Sequence, residues 1–163
     1  MSNMFCFAAD CALREESWTD PEIPGEQCAI WPTNPRNWYD IRTELPYMAE
    51  IVLDQCTTSI CRKLIDYTRQ HLEMTEEIEL WRLWMGAENY KIHWYAISID
   101  ALTPEDLLTL YTMQDIFGRD FPRRNRAAHT SSYAIQHCLT ITRTPSEWNS
   151  PRMKNWRDLY PAP

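Results

Sequence analysis

Glycine is scarce in this sequence, which contains only 3 glycines among 163 residues. Loops that cradle phosphate groups need backbone without a Cβ close to the ligand, so this scarcity argues against nucleotide-binding loops. The sequence also lacks the Gly-x-Ser-x-Gly, Walker, Gly-x-Gly-x-x-Gly, His-x-His and His-Glu-x-x-His motifs. These absences favour a non-enzymatic role without deciding the question, and we expect no cofactor.

Long apolar segments are also missing. The longest apolar runs are a few residues, too short for a membrane span. The first residues, MSNMFCFAADCALREE, have no basic region followed by a long apolar stretch, so they do not resemble a secretory signal. We therefore expect a cytoplasmic protein that does not associate with membranes.

The spacing of the cysteines excludes the usual zinc knuckle, because no Cys-x-x-Cys occurs. Six cysteines stand at positions 6, 11, 28, 56, 61 and 138. A metal site built from Cys6, Cys11 and Cys28 is the alternative to ordinary buried thiols, and this spacing disfavours it. Reduced thiols without a metal are the expectation for a chain without an export signal.

Charge is distributed unevenly along the chain. Residues 1–118 hold 20 acidic and 8 basic side chains, a net charge of −12, whereas residues 119–163 hold 3 acidic and 8 basic side chains, a net charge of +5. The overall charge of −7 therefore hides an acidic body followed by a basic tail.

Six segments between positions 47 and 142 show clear periodicity, and their order predicts the fold. Alternating or β-branched residues predict strands, whereas an apolar stripe at 3.6-residue spacing or a Thr-Pro-x-acid start predicts helices. The predicted elements are strand Tyr47–Leu53, helix Thr57–Leu72, strands Ile78–Trp84 and Lys91–Ile99 as a pair joined near Gly86, helix Pro104–Ile116 and strand Tyr133–Ile141. This order is that of an α+β ferredoxin-like split βαβ sandwich. The segment at 77–85 also fits a helix.

The flanks are expected to be irregular but ordered. Residues 1–46 form a predicted N-terminal extension rich in proline and aromatic residues, residues 47–143 the domain, and residues 144–163 a basic tail containing tryptophan. Several predicted strands are apolar on both faces, so the sheet face without helices should be covered. The two extensions are the expected cover, and a second copy of the chain is the alternative.

Histidine and cysteine provide the few candidates for chemistry. His93 and His137 both fall on predicted strands and can lie near each other, yet the sequence supplies no evident nucleophile and orienting partner for them. Cys56 and Cys61 are candidate nucleophiles, with Cys56 just before a helix whose dipole lowers a thiol pKa. A small structural residue is the more frequent role at such a position, so we assign no catalytic residue.

The basic cluster lies at the end of the second helix and beyond it. Its candidate anion-binding residues are Arg119, Arg123, Arg124 and Arg126. Arginine suits contacts with phosphate or carboxylate, but the acidic body repels a polyanion, which disfavours nucleic acid as a partner. The basic tail can equally fold back onto the acidic body.

The acidic cluster motivates the leading functional hypothesis. Its candidate partner-binding residues are Glu73, Glu76, Glu77, Glu79 and Glu88. A dense carboxylate surface with tryptophan anchors is typical of a protein that docks on a basic partner. We therefore expect a protein-binding module of the acidic inhibitor, immunity or anti-defence type, which occludes a basic partner surface.

Two alternatives to this module stay open. One is a small anionic-ligand binding protein or enzyme that uses the arginines of residues 119–126 with a strand histidine. The other is binding of single-stranded nucleic acid by the basic tail.

Overall fold

A computed structural model describes residues 3–20, 23–24, 27–34, 41, 43–84, 89–112, 133–145 and 153–155 of the chain. Two helices and eight strands are found in this part. In chain order they are β1 (Asn3–Ala9), β2 (Glu16–Thr19), β3 (Gln27–Thr33), β4 (Tyr47–Leu53), α1 (Thr58–His71), β5 (Glu77–Trp84), β6 (Asn89–Ser98), α2 (Pro104–Thr112), β7 (Tyr133–Thr142) and β8 (Met153–Asn155).

The strands of the described part form one mixed sheet in the order β2-β3-β4-β1-β5-β7-β6-β8. All neighbours are antiparallel except at one end, where β6 is parallel to β7 and to β8. The predicted ferredoxin-like sandwich is therefore wrong, although the chain is an α+β protein. Strand β1 separates β4 from β5, and β7 separates β5 from β6, so the predicted hairpin between β5 and β6 does not form.

Strand β1 is the element that the sequence-based fold missed. Its last four residues, Cys6, Phe7, Ala8 and Ala9, are all buried. A central strand covered on both faces needs apolar residues at every position, so it loses the alternation that marks a half-exposed strand. Residues 3–33 thus hold three strands of the sheet rather than an irregular extension.

Strand β3 tolerates a proline because of where the neighbouring strand ends. Pairing between β2 and β3 covers only Gln27 to Ile30 on β3. Pro32 lies beyond that stretch and opposite Ala49 of β4, so its missing N–H falls on an edge without a partner strand in the described residues.

Both helices form crossover connections on the same face of the sheet. Strands β4 and β5 run parallel because both are antiparallel to β1, and α1 links them across that strand. Helix α2 links β6 to its parallel neighbour β7. The helices and this sheet face share one core, in which Phe7, Ile30, Leu64, Leu80 and Leu110 are buried. We call this side the helix-covered face.

The helix starts follow the local signals in the sequence. Thr57, where the first helix was predicted to begin, is its N-cap and accepts a hydrogen bond from the backbone N–H of Ile60 at 3.2 Å. Helix α2 begins at Pro104 as predicted, and the Asp106 carboxylate accepts hydrogen bonds from the backbone N–H and hydroxyl of Thr103 at 2.8 and 3.0 Å. Residues 113–116 of the predicted second helix lie outside the described residues.

The opposite sheet face carries a smaller apolar core. Cys6, Met48, Trp81, Leu83 and Cys138 are buried there, as is Ala8 of β1. Ile41, from the segment before β4, belongs to the same core, and Leu45 packs against it. Part of the predicted cover is therefore supplied by residues of the N-terminal flank. No helix in the described part of the chain is long and apolar enough to cross a membrane.

Candidate functional site

A row of paired residues crosses the middle of the sheet on its helix-covered face. Strand register places Ile51 of β4 opposite Phe5, Phe5 opposite Arg82, Arg82 opposite His137, and His137 opposite His93. Directly paired residues point to the same side of a sheet, with Cβ atoms about 4.5–5.5 Å apart. On β4 and β1 this row is apolar, whereas on β5, β7 and β6 it consists of one arginine and two histidines.

Arg82 is a buried cation without a counterion in the described residues. Its relative exposure is 3%, and both its Nε and Nη1 atoms are buried without a hydrogen-bond partner. The ion pairs of the described residues join Arg14, Arg69 and Arg143 to carboxylates and do not include Arg82. Burial lowers the pKa of the Arg82 guanidinium, while nearby Tyr111 raises it.

His137 continues the unsatisfied polar surface onto β7. It is also 3% exposed, and its Nε2 atom is buried without a hydrogen-bond partner. Burial, together with the positive charge of Arg82 and the neighbouring His93, lowers the pKa of His137 to about 3. The imidazole is therefore neutral at physiological pH in the unliganded protein.

A tyrosine hydroxyl connects the two strand histidines. The Tyr95 oxygen lies 3.0 Å from Nδ1 of His137 and 3.4 Å from Nδ1 of His93. The Tyr95 and His137 rings stack with centroids 5.8 Å apart, and the two imidazole rings meet edge to face at the same distance. Since one hydroxyl donates a single hydrogen, its direction sets whether Nε2 of His137 is a donor or an acceptor.

An aromatic pair next to this polar group lines a cavity. Phe5 of β1 stacks on Tyr111 of α2, with ring centroids 5.2 Å apart and planes at 21°. A cavity of about 290 Å³ lies on the β4 side of this pair, lined also by Met4, Glu50 and Leu53. Arg82 is paired with Phe5 on the neighbouring strand β5 and does not line this cavity.

Sequence reasoning identified two members of this group and missed its cation. His93 and His137, which sequence analysis placed on strands and allowed to lie near each other, are directly paired. The arginines proposed to act with them, Arg119, Arg123, Arg124 and Arg126, lie outside the described residues, as does most of the basic tail. Arg82 had a recognisable signal in the sequence: it interrupts the apolar segment Leu80–Trp84 and shares the face of Ile78 and Leu80.

The acidic candidates do not form one uniform surface. Glu73 and Glu76 are exposed, and Glu76 forms a 2.7 Å ion pair with Arg143 of the segment after β7. Glu79 is half-buried and accepts hydrogen bonds from Thr43 and from the Trp81 indole. Its pKa is raised by burial. Glu77 is half-buried, and Glu88 lies outside the described residues.

The cysteines weighed as metal ligands are separated by the sheet. Cys6 belongs to the core of the opposite face, whereas Cys28 and Cys11 belong to the core of the helix-covered face. Within the described ranges, no group of three or more His, Cys, Asp or Glu side chains is arranged to hold a metal ion.

Comparison of the chain with protein-family models, with curated proteins and with solved structures found no match.

Proposed function

We propose that this protein binds a small anionic ligand between Arg82 and His137 on the helix-covered face. The observation that carries the proposal is the set of three buried nitrogen atoms without a partner in the described residues: Nε and Nη1 of Arg82 and Nε2 of His137. They belong to side chains that face each other on neighbouring strands.

The energetics of burial favour an anion at this place. Burying a guanidinium away from water costs free energy unless the group is paired with an opposite charge and hydrogen-bonded. A carboxylate or phosphate supplies both the opposite charge and several acceptor oxygens, and arginine is the side chain best suited to such planar or multidentate contacts. The ligand therefore takes the place of the missing acidic side chain.

The histidine and tyrosine groups then have defined roles. An anion next to His137 favours a hydrogen on Nε2, which leaves Nδ1 as the acceptor of the Tyr95 hydroxyl hydrogen. The Tyr95 oxygen in turn accepts from Nδ1 of His93. This chain holds the His137 ring in place, and a bound negative charge raises the pKa of His137 above its unliganded value.

The thermal stability of the full-length chain tests the proposal. We would add inorganic phosphate, sulfate, acetate, dicarboxylates and nucleoside monophosphates in separate titrations at constant ionic strength. A ligand at 100 times its Kd adds about 2.7 kcal/mol to the free energy of unfolding. For a chain of this length that corresponds to about 5–10 °C in Tm.

Substitutions assign the effect to the site. The Arg82→Met variant should lose the anion-dependent rise in Tm, whereas Arg69→Met should keep it, because Arg69 is exposed and pairs with Asp100. An anion response that survives in Arg82→Met, or no response to any class of anion, would contradict the proposal.

A second candidate is docking of a basic protein on the turn between α1 and β5. Met74 is 61% exposed there, between the exposed Glu73 and the segment of Glu76 and Glu77. An apolar side chain surrounded by carboxylates suits an interface in which the charges steer the partner and the apolar group becomes buried on binding.

Binding to a basic protein should weaken at high salt and in the double variant Met74→Lys, Glu73→Lys. It should persist in Glu105→Lys, on an exposed position of α2. Equal binding by both variants would refute this candidate.

A further inference from the structure

Two cysteine thiols lie in contact at the start of helix α1. The Sγ atoms of Cys56 and Cys61 are 3.5 Å apart. Thr57 is the N-cap, so Cys56 immediately precedes the cap and Cys61 is the fourth residue of the helix. In many helices these two positions hold an apolar pair that fixes the entry of the chain. Here both members are thiols, which adds a chemical property to that packing contact.

The two thiols differ in exposure and acidity. Cys56 is half-buried, whereas Cys61 is fully buried. The hydrogen bond from the Cys61 thiol lowers the pKa of Cys56, and the same bond together with burial raises the pKa of Cys61. Thiolate is the reactive form, so the thiol that solvent reaches is also the one more readily ionised.

We propose that Cys56 and Cys61 form a peroxide-sensitive dithiol that closes to an intramolecular disulfide. The Cys56 thiolate attacks one oxygen of hydrogen peroxide, giving a Cys56 sulfenic acid and hydroxide, which takes up a proton to form water. The Cys61 sulfur then attacks the Cys56 sulfur and displaces the second oxygen as water, with the Cys61 proton going to the leaving group. Two thiols and one peroxide thus yield one disulfide and two waters.

The local geometry allows the bond without rearrangement of the sheet. A disulfide has a sulfur–sulfur distance of about 2.05 Å, so the sulfurs must approach by about 1.5 Å. Cys56 lies outside the hydrogen-bonded turns of α1, in the connection after β4, so its side chain and backbone can adjust without breaking the helix.

Cys28 is the competing partner on β3. Burial raises the pKa of Cys28 to about 12, which leaves almost no thiolate at neutral pH. The observed sulfur contact is between Cys56 and Cys61. The dithiol is independent of the proposed anion site, because neither Arg82 nor His137 takes part in it.

Peptide mapping of the full-length protein tests the dithiol directly. Trypsin releases residues 43–62 as one peptide that contains Cys56 and Cys61 as its only cysteines, whereas residues 15–36 carry Cys28. After treatment with hydrogen peroxide, denaturation and alkylation of free thiols, the peptide 43–62 should appear without alkyl groups and lighter by two hydrogens than its reduced form. Reduction with dithiothreitol should restore both alkylation sites.

Three variants separate this chemistry from general oxidation. Cys61→Ser should stop at a Cys56 sulfenic acid that dimedone traps, Cys28→Ser should form the disulfide as the wild type does, and Cys56→Ser should leave Cys61 reduced. Oxidation of 43–62 no faster than that of buried Cys138, or a crosslink between peptides 15–36 and 43–62, would overturn the proposal.

Discussion

Replacing Arg82 by methionine should stabilise the unliganded protein, which is an unusual expectation for a fully buried position. The Arg82 side chain is 3% exposed, sits in the apolar helix-covered face opposite Phe5, and has unpaired Nε and Nη1 atoms in the described part of the chain. Methionine keeps a long flexible side chain and removes the charge. The substitution therefore relieves desolvation while retaining most of the packing.

The size of the stabilisation expected for Arg82→Met depends on whether Arg82 has a charged partner. Replacement of a whole buried ion pair by apolar residues of similar volume is neutral or stabilising by about 1–4 kcal/mol, and removal of an unpaired buried cation should gain a comparable amount. A change of this size corresponds to a rise in Tm of about 2–4 °C for each kcal/mol. Had Arg82 been paired with a carboxylate, loss of the arginine would instead have cost about 3–5 kcal/mol, because an unpaired acid would remain buried.

Urea unfolding in a buffer without phosphate, sulfate or carboxylates measures this effect. Arg143→Met is a matched control, because Arg143 donates hydrogen bonds to the Thr75 carbonyl and pairs with Glu76 at a partly exposed site. That variant should be slightly less stable than the wild type, by about 1 kcal/mol or less. If Arg82→Met is less stable than the wild type in anion-free buffer, Arg82 is not an uncompensated cation.

Two further effects follow from the same contacts. The free energy of unfolding should fall as pH is lowered below 6.5, because burial lowers the pKa of folded His137 to about 3, and the unfolded chain then binds the additional proton. Protonation of this one residue in the unfolded chain lowers the free energy of unfolding by about 1.4 kcal/mol per pH unit below about pH 6. In urea titrations, the free energy of unfolding of His137→Phe should therefore fall less steeply than that of the wild type between pH 7 and pH 5. Parallel pH dependences for the two proteins would contradict the burial of a neutral imidazole. Asp106→Asn should destabilise the protein by about 1 kcal/mol, because its carboxylate accepts hydrogen bonds from Thr103 at the start of α2. Glu105→Gln on the exposed side of the same turn is the control, and equal effects of the two variants would exclude a specific cap.

Local signals in the sequence located most elements, because caps and periodicity depend on neighbouring residues. Thr57 and the Thr103-Pro104 pair marked where both helices begin, and alternation identified strands β4 and β7 to within a residue. Strand pairing, in contrast, joins residues far apart in the chain. The insertion of β1 between β4 and β5 depends on contacts such as Phe7 with Leu80, which no local pattern encodes.

The candidate site was only partly predictable for the same reason. Alternation placed His93 and His137 on strands, but the parallel register that pairs them is fixed by the crossover through α2. Arg82 was missed because β5 is buried on both faces from Leu80 to Leu83, so its alternation is lost after the first residues. A charged residue inside such a strand was the one local sign of a buried polar site.

Nitrogen-15 NMR of the imidazole rings tests the central claim most directly, with the His137 signals assigned by comparison with His137→Phe. Titration with inorganic phosphate and with acetate should place a hydrogen on Nε2 of His137 and raise the His137 pKa, and Arg82→Met should abolish both changes. An unchanged His137 tautomer and pKa at concentrations of these anions that saturate the thermal shift would contradict an anion held between Arg82 and His137.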